Sequence, residues 1–475
     1  MSDDLNWLSA REMTRRFAKS DLSPVDVLEA TLAQLHAVNP ALNAICLLDE
    51  AQGRRLAADS AERWRRGAPL GPLDGVPVAI KDTAHVAGWP TRIGSHATAS
   101  APSTEDTPGV ARLREADAVF FCKTATPEFG WKGITHGPLT GITHNPWDTS
   151  RTPGGSSGGS AALVAAGVVP LATGGDGGGS IRIPAAFSGV FGLKPSYGVV
   201  PNFLGPMGTL AVYGGLSRDV ADSALLLNVL TRPDVRDSFA IPYRGIDYLD
   251  GLDVGVAGMR IAWSPGLGFP VAEPAVVAGM QPAIDALVKA GADVQSVALD
   301  LSGAQPVLEV IWGASHAALV RDFDGAQLAA LDPGLLRLVI SAQNISAIQL
   351  QAAYAEMRAL SQKMQLFHQD YDLLLTPTVP ITAFAAGVDT PDVTRFPQWF
   401  DWTPLTWPFN LTRQPAASVP CGFVGGLPIG LQIVGPMFAE PNIFRASHCV
   451  EQACATGARP GLGASDPLHT EKQYL

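Results

Sequence analysis

The pattern of apolar and polar positions along this chain predicts helices and strands in alternation. Ser23 as an N-cap, Pro24 in the first turn and apolar residues at helical spacing predict a helix ending near Asn39. Further helices are predicted over 50–68, 106–116, 160–167, 217–231 (with Ser217 as N-cap), 274–290 and much of 302–365. Short apolar runs predict strands over 76–80, 118–122, 168–173, 260–264, 293–299, 371–377 and 430–434. This alternation predicts an α/β sheet with helices on both faces. Residues 383–400 read as a loop and 455–475 as a polar tail.

Two glycine-rich loops flank one apolar segment between Gly154 and Arg182. The first loop carries Ser156, Ser157 and Ser160, and the second carries Asp176, Gly177, Gly178, Gly179 and Ser180. Glycines let backbone N–H groups approach one point, so the second loop predicts an oxyanion hole beside a serine nucleophile. The alternative is that both loops are only turns.

A serine nucleophile needs a base, because its hydroxyl is not ionised at neutral pH. No histidine lies in or near either loop, but the strand predicted over 76–80 ends at Lys81. If this lysine is buried, its pKa falls and its neutral amine can accept a proton. The alternative is a solvated lysine at the end of a strand.

Lys81, the GGSSGGS loop and the GGGSIR loop together resemble the amidase signature family. Further blocks of the chain look like family blocks: GPLDGVPVAIKD, KTATPEFG, FGLKPSYG and GLPIGLQIVGP. They run from about residue 70 to 436, so the resemblance covers most of the chain. It implies one large mixed sheet in a single domain over 1–475, with a signature core over about 70–200 and N-terminal helices over 1–68.

The resemblance also implies roles for individual residues. Ser180 is the nucleophile, and Ser156, joined to Gly155 by a cis peptide bond, passes its proton to neutral Lys81. The oxyanion is held by N–H groups of Gly177, Gly178, Gly179 and Ser180, and an acyl-enzyme is then hydrolysed by water. Ser157 is expected to support the site, and Asp176 with Arg182 to form a buried bridge that holds the loop.

A different catalytic pattern overlaps the first loop, since residues 155–159 also match the G-x-S-x-G elbow of α/β-hydrolases. No Asp…His pair follows in a recognisable context, so this reading is disfavoured. A nucleotide-binding loop is excluded, because no G-x-x-x-x-G-K-[ST] motif is present.

The substrate is expected to be an apolar or aryl amide, with ester and carbamate cleavage also possible. Gly175, Gly177 and Ala125 stand where family members often carry larger side chains, which predicts a roomier pocket. Aromatic residues near the motifs are expected to line it, the alternative being core packing: Phe129, Trp131, Trp402 and Trp407.

Two other functions are considered. The glutamine-hydrolysing subunit of a tRNA-dependent amidotransferase carries an aspartate at the position of Thr403, and here Asp401 lies two residues earlier. A binding protein with a decayed site is disfavoured by the intact set of Lys81, Ser156 and Ser180.

Composition narrows the class of protein. The 475 residues have a net charge of −11, which argues against nucleic acid or anionic membrane as the main partner. Five cysteines without framework spacing predict reduced thiols, and no metal-ligand spacing and no cofactor motif is seen. The N-terminal sequence has no apolar signal segment, so a cytoplasmic enzyme, monomeric or homodimeric, is expected to act on a small molecule.

Overall fold

The computed structural model describes residues 4–202, 208–270, 272–455 and 457–462. Its strands are β1 (Ile45–Leu48), β2 (Pro77–Lys81), β3 (Val119–Thr124), β4 (His136–Gly137), β5 (Gly141–Ile142), β6 (Leu171–Asp176), β7 (Phe191–Lys194), β8 (Val212–Ser217), β9 (Arg260–Trp263), β10 (Asp293–Ser296), β11 (Leu373–Pro377), β12 (Ala416–Val424) and β13 (Leu427–Val434). All but the short β4–β5 pair belong to one sheet of 11 strands.

Along the described part of the chain, α-helices also lie before, between and after the strands. They are α1 (Ala10–Ala18), α2 (Pro24–Leu42), α3 (Glu50–Arg65), α4 (Pro108–Glu115), α5 (Gly158–Ala165), α6 (Arg182–Ser188), α7 (Val220–Leu230), α8 (Pro274–Gly279), α9 (Gln281–Lys289), α10 (Gln305–Leu319), α11 (Gly325–Ala329), α12 (Pro333–Ala342), α13 (Ala347–Phe367), α14 (Pro408–Leu411) and α15 (Glu440–Cys454).

The sheet is mixed, in the order β1-β3-β2-β6-β8-β7-β12-β13-β11-β9-β10. Strand β2 runs parallel to both β3 and β6, whereas β8 runs antiparallel to β6 and β7. Parallel neighbours end at the same edge of a sheet, so the ends of β2 and β6 lie side by side. The large mixed sheet flanked by helices is therefore confirmed.

Several predicted elements differ in their bounds. The helix predicted over 217–231 starts at Val220, capped by Asp219 rather than Ser217, because Ser217 ends strand β8. The helix predicted over 274–290 is two helices, since Pro282 stands in the first turn of α9 and cannot continue α8. Residues 440–454 form a helix that the sequence did not predict, and 456 and 463–475 of the predicted tail lie outside the described residues.

Helix α5 lies inside the protein, and all eight of its residues are buried. Its small side chains leave room for close packing: a Cβ at Gly159 would lie 2.4 Å from the carbonyl oxygen of Ala44. The loop before α5 and the loop after β6 therefore rest on tightly packed backbone. All five cysteines are free. In the described ranges, no helix has both the length and the apolar character needed to cross a membrane.

Candidate active site

Lys81 is the last residue of β2 and is a buried amine, with only 1% of its surface exposed. Its Nζ donates hydrogen bonds to Ser156 Oγ and Ser157 Oγ, both at 2.8 Å. Burial lowers the pKa of Lys81 to about 7, against the opposing charge of Asp176. A large fraction of the amine is therefore neutral just above pH 7 and can accept a proton.

Ser156 and its neighbours occupy the loop that leads into α5. The Gly155–Ser156 peptide bond is cis, as expected. The N–H of Ser157 donates to the carbonyl oxygen of Ser180 at 3.1 Å, so a backbone hydrogen bond joins the two serine loops. Ser157 is fully buried, and its hydroxyl shares Lys81 equally with Ser156. The hydroxyl of Ser160 makes its hydrogen bonds elsewhere. It shares one with the Thr124 hydroxyl and donates one to the carbonyl oxygen of Thr173.

The loop after β6 carries Ser180, which keeps 6% of its surface exposed. One predicted oxyanion donor needs correction, because the N–H of Gly179 donates to Asp176 Oδ1 at 2.8 Å and is already used. For the N–H groups of Gly177, Gly178 and Ser180, the described residues provide no hydrogen-bond acceptor. These three donors are the ones this loop offers to a ligand.

Four buried side chains hold this loop from behind, and we call them the polar clasp: Asp176, Arg182, Asn410 and Gln432. Arg182 binds both carboxylate oxygens of Asp176, at 2.8 and 3.0 Å, as the sequence predicted. Arg182 also donates to Asn410 Oδ1 at 2.7 Å and to Gln432 Oε1 at 2.8 Å. Burial alone would raise the pKa of Asp176, but the charge and hydrogen bonds of Arg182 outweigh it and hold that pKa below its usual range. Asp176 is therefore an anion in the site.

The four aromatic residues predicted to line a pocket fall into two groups. Trp402 and Trp407 have no exposed surface and pack in the core, Trp402 stacked on Phe187 at 5.9 Å, so their predicted role as pocket walls is wrong. The backbone between Phe129 and Trp131 passes close to Ser156, because a Cβ added at Gly130 would be 3.1 Å from Ser156 Oγ.

Two tryptophans lie against the glycines of the loop over 177–180, which we call the oxyanion loop, and one of them, Trp312, was not predicted from the sequence. A Cβ at Gly177 would lie 3.3 Å from the ring of Trp312, and a Cβ at Gly178 would lie 2.9 Å from the ring of Trp399. The two rings are 5.2 Å apart, and Trp312 Nε1 donates to the carbonyl oxygen of Trp131. We call Trp312 and Trp399 the aromatic wall.

The small residues Gly175, Gly177 and Ala125, which predicted a roomier pocket, do not all leave free space. Trp312 fills the space that a side chain at Gly177 would take, so a roomier pocket is not found there. Ala125 is fully buried under α5, where its carbonyl oxygen accepts the N–H of Gly159. Only at Gly175 would an added Cβ be clear of close contacts, its nearest neighbours being 3.8 and 3.9 Å away.

The chain resembles known amide hydrolases over nearly its whole length. A family model described as Amidase matches residues 26–444. An acylamidase of Rhodococcus erythropolis is 37% identical over 453 residues, covering 94% of this chain and 95% of that protein. The structure of a bacterial aryl acylamidase of the amidase signature family superposes with a TM-score of 0.88 at 30% identity, covering 94% and 96% of the two chains. A glutamyl-tRNA(Gln) amidotransferase subunit of Carboxydothermus hydrogenoformans is 35% identical, covering 94% of this chain and 98% of that protein.

Proposed function

The chain belongs to the amidase signature family and is an amide-hydrolysing enzyme, and we propose that it is an acylamidase acting on apolar or aryl amides. The chemical part of this proposal rests on one contact: the Nζ of buried Lys81 lies 2.8 Å from Ser156 Oγ. A backbone hydrogen bond from Ser157 to Ser180 holds the loop of Ser180 next to this pair. A lysine with a pKa of about 7 is matched to general-base catalysis near neutral pH.

The reaction begins when neutral Lys81 takes a proton from Ser156, which takes one from Ser180. Ser180 Oγ then attacks the amide carbonyl carbon, and the carbonyl oxygen becomes an oxyanion facing the N–H groups of Gly177, Gly178 and Ser180. The proton returns through Ser156 to the leaving nitrogen, the C–N bond breaks, and an acyl ester of Ser180 remains. Water attacks this ester by the same relay, releases the acid and restores Ser180.

The aryl preference is supported by the aromatic wall and by two relatives. Trp312 and Trp399 lie against the glycines that carry the oxyanion donors, so a bound carbonyl has indole surface next to it. Apolar contact of this kind contributes roughly 25 cal/mol per Å² of surface removed from water. The similar proteins described as an acylamidase and an aryl acylamidase point to the same substrate class. Esters and carbamates present the same carbonyl to Ser180, so we include them as substrates.

The likeness to an amidotransferase component makes glutamine hydrolysis the second candidate. Thr403, at the position where those proteins carry an aspartate, is fully buried, and its hydroxyl donates to the carbonyl oxygen of Trp399. Asp401 accepts the backbone N–H of Gln398 and the side-chain amide of Gln305. Thr403 thus offers no carboxylate to the amino group of glutamine, and both oxygens of Asp401 already accept hydrogen bonds, which favours the acylamidase.

The test compares kcat/KM of the purified enzyme for an aryl anilide, an aryl ester, an aryl carbamate, acetamide and glutamine. We expect the anilide to exceed glutamine and acetamide by at least tenfold. Ser180→Ala should remove all of these activities, and Ser157→Ala should retain part of them. A preference for glutamine would replace the proposal with the amidotransferase function, and an inactive Ser157→Ala beside an active Ser180→Ala would move the nucleophile to Ser157.

A further inference from the structure

A cavity of about 410 Å³ has walls that contact the oxyanion loop, and the proposed mechanism does not use it. Its walls include Ala211 and Val212. Val212 pairs with Asp176 in the sheet, and the Cβ of Ala211 lies 3.5 Å from the position of a Cβ added at Gly177. Two wall residues of the cavity therefore contact the strand end and loop that lead to Ser180.

Arg413 lines this cavity with a cation that has no acidic partner in the part of the chain that the structure describes. In those ranges, no carboxylate lies within 4.0 Å of its guanidinium, and its buried Nε has no hydrogen-bond acceptor. The guanidinium carbon lies 4.4 Å from the centre of the Tyr197 ring, which fixes its position by a cation–π contact. A buried donor without an acceptor is destabilising, and a bound anion would supply the missing acceptor.

Two other charged side chains line the cavity. Arg236 forms ion pairs with Asp234 at 2.6 Å and with Glu105 at 2.9 Å. The carboxylate of Asp237 accepts two backbone N–H groups, at 2.7 and 2.8 Å, one on each oxygen. Of the two arginines in the cavity wall, Arg413 is therefore the one without a carboxylate partner among the described residues.

The backbone of Arg413 adds a second, independent observation. Its φ is +63°, in the left-handed region that favours glycine and that is strained for an arginine. Two backbone hydrogen bonds hold this conformation, from the Arg413 N–H to the oxygen of Asn410 and from the N–H of Tyr197 to the oxygen of Arg413. Glycine would suit the backbone better, so the arginine is explained by its side chain.

We propose that Arg413 binds a carboxylate carried by the substrate, so that the preferred amides are anionic ones whose carboxylate lies a short apolar spacer away from the scissile bond. Arginine matches a carboxylate in a planar, two-toothed geometry. Apolar side chains of the cavity, Val200, Val212 and Phe239, suit the spacer. This inference rests on the proposed function and narrows its substrate class. The carboxylate belongs either to the amine part or to the acyl part of the amide, and the experiment separates the two.

Two matched substrate pairs test the proposal: 4-acetamidobenzoate against acetanilide for the amine part, and succinanilate against butyranilide for the acyl part. The wild-type enzyme should favour the anionic member of one pair by at least tenfold in kcat/KM, through a lower KM. Arg413→Gly, which suits the backbone, should reduce that ratio to about one, and Arg413→Lys should keep part of it. Arg321→Gln, which removes an arginine exposed elsewhere, should keep the wild-type ratio.

Equal kcat/KM within both pairs, or an unchanged ratio in Arg413→Gly, would overturn the proposal. If the enzyme hydrolyses none of the four anilides, the proposed function fails, and binding of benzoate measured by calorimetry still tests Arg413. Benzoate should then bind the wild-type protein at least tenfold more tightly than Arg413→Gly. Equal binding would show that Arg413 does not recognise carboxylates.

Discussion

The oxyanion loop lies between two regions of opposite chemistry, the polar clasp and the aromatic wall. The clasp fixes the loop through directional hydrogen bonds of 2.7 to 3.0 Å, all of them buried. The wall contacts the same loop through ring surfaces, which have few directional requirements. We infer that the clasp determines whether the reaction proceeds and that the wall determines which amide reacts. Substitutions in the polar clasp should therefore change turnover and stability, whereas substitutions in the aromatic wall should change KM.

The largest effect is expected for Lys81, on the polar side of the loop. Lys81→Ala should lower kcat for an anilide by about 10³-fold, because general-base catalysis is lost. Lys81→Arg should not restore it, since arginine stays protonated. In the wild-type enzyme, kcat/KM should rise as the pH passes about 7, where Lys81 loses its proton. Near-normal activity of Lys81→Arg, or a flat pH profile from about 6 to 9, would contradict the role of a base.

The next largest effect is expected when the clasp is broken. Asp176→Asn leaves the buried charge of Arg182 without its anion, which should lower the free energy of unfolding by about 3–5 kcal/mol. Turnover should fall by about 10²-fold, because the loop loses its fixed position. Asp322→Asn makes the same change in an exposed pair with Arg321 and should alter stability by less than about 0.5 kcal/mol. Urea unfolding of both variants measures these free energies. Equally small losses in the two variants would show that the clasp does not stabilise the fold.

The burial of Lys81 should also make stability depend on pH. The unfolded chain keeps this proton up to about pH 10.5, whereas the folded chain loses it near pH 7. Between these values the unfolded state binds more protons, so the free energy of unfolding rises with pH. From pH 7 to 9 the wild type should gain on the order of 2 kcal/mol relative to Lys81→Met, since each pKa unit corresponds to about 1.4 kcal/mol. Lys194, whose pKa burial also lowers to about 7, cancels in this difference. If the free energy of unfolding changes with pH in the same way in both proteins, Lys81 is charged in the folded state.

A smaller effect, and one of a different kind, is expected on the aromatic side. Trp312→Leu should raise KM for an aryl anilide about tenfold while kcat changes little, because roughly 1–2 kcal/mol of apolar contact is lost. Trp402→Leu is the matched control, since Trp402 is a core residue without exposed surface. It should lower the melting temperature and leave KM unchanged. If Trp402→Leu shifts KM as much as Trp312→Leu, the wall has been assigned to the wrong tryptophans.

The smallest effect is expected for Gly177→Ala, where the loop meets the wall. The added methyl would lie 3.3 Å from the Trp312 ring, so the ring must move by a few tenths of an ångström. We expect KM for an anilide to change by less than about threefold and the N–H donor to remain in place. A loss of kcat beyond about tenfold would show that the ring and the donor are coupled, and the two regions would then not be separable.

The sequence predicted which residues meet at the candidate site, Lys81, Ser156 and Ser180, because they lie in contiguous motifs between Lys81 and Arg182. It failed for contacts made across long separations. Trp312 reaches Gly177 from a helical region without a readable motif, and Asn410 reaches Asp176 from 234 residues away. Trp399 and Trp402 are three positions apart, yet one lies against the loop and the other packs on Phe187, a difference that their spacing in the sequence does not indicate.

The hydrogen bond that occupies the Gly179 N–H could not be predicted from the sequence for a different reason. It depends on the backbone angle of that glycine, whose φ is +125°, and on where the carboxylate of Asp176 points. A run of three glycines is compatible with many such conformations, and the sequence does not select among them.

The sequence separation within the clasp has a consequence for the order of events during synthesis. The lysine and both serines leave the ribosome within the first 180 residues, but Asn410 and Gln432 follow 228 and 250 residues after Arg182. A nascent chain therefore carries the lysine and both serines for more than half of its translation without the side chains that hold the loop. We expect a chain truncated before residue 432 to be inactive, because it lacks Gln432 and part of β13.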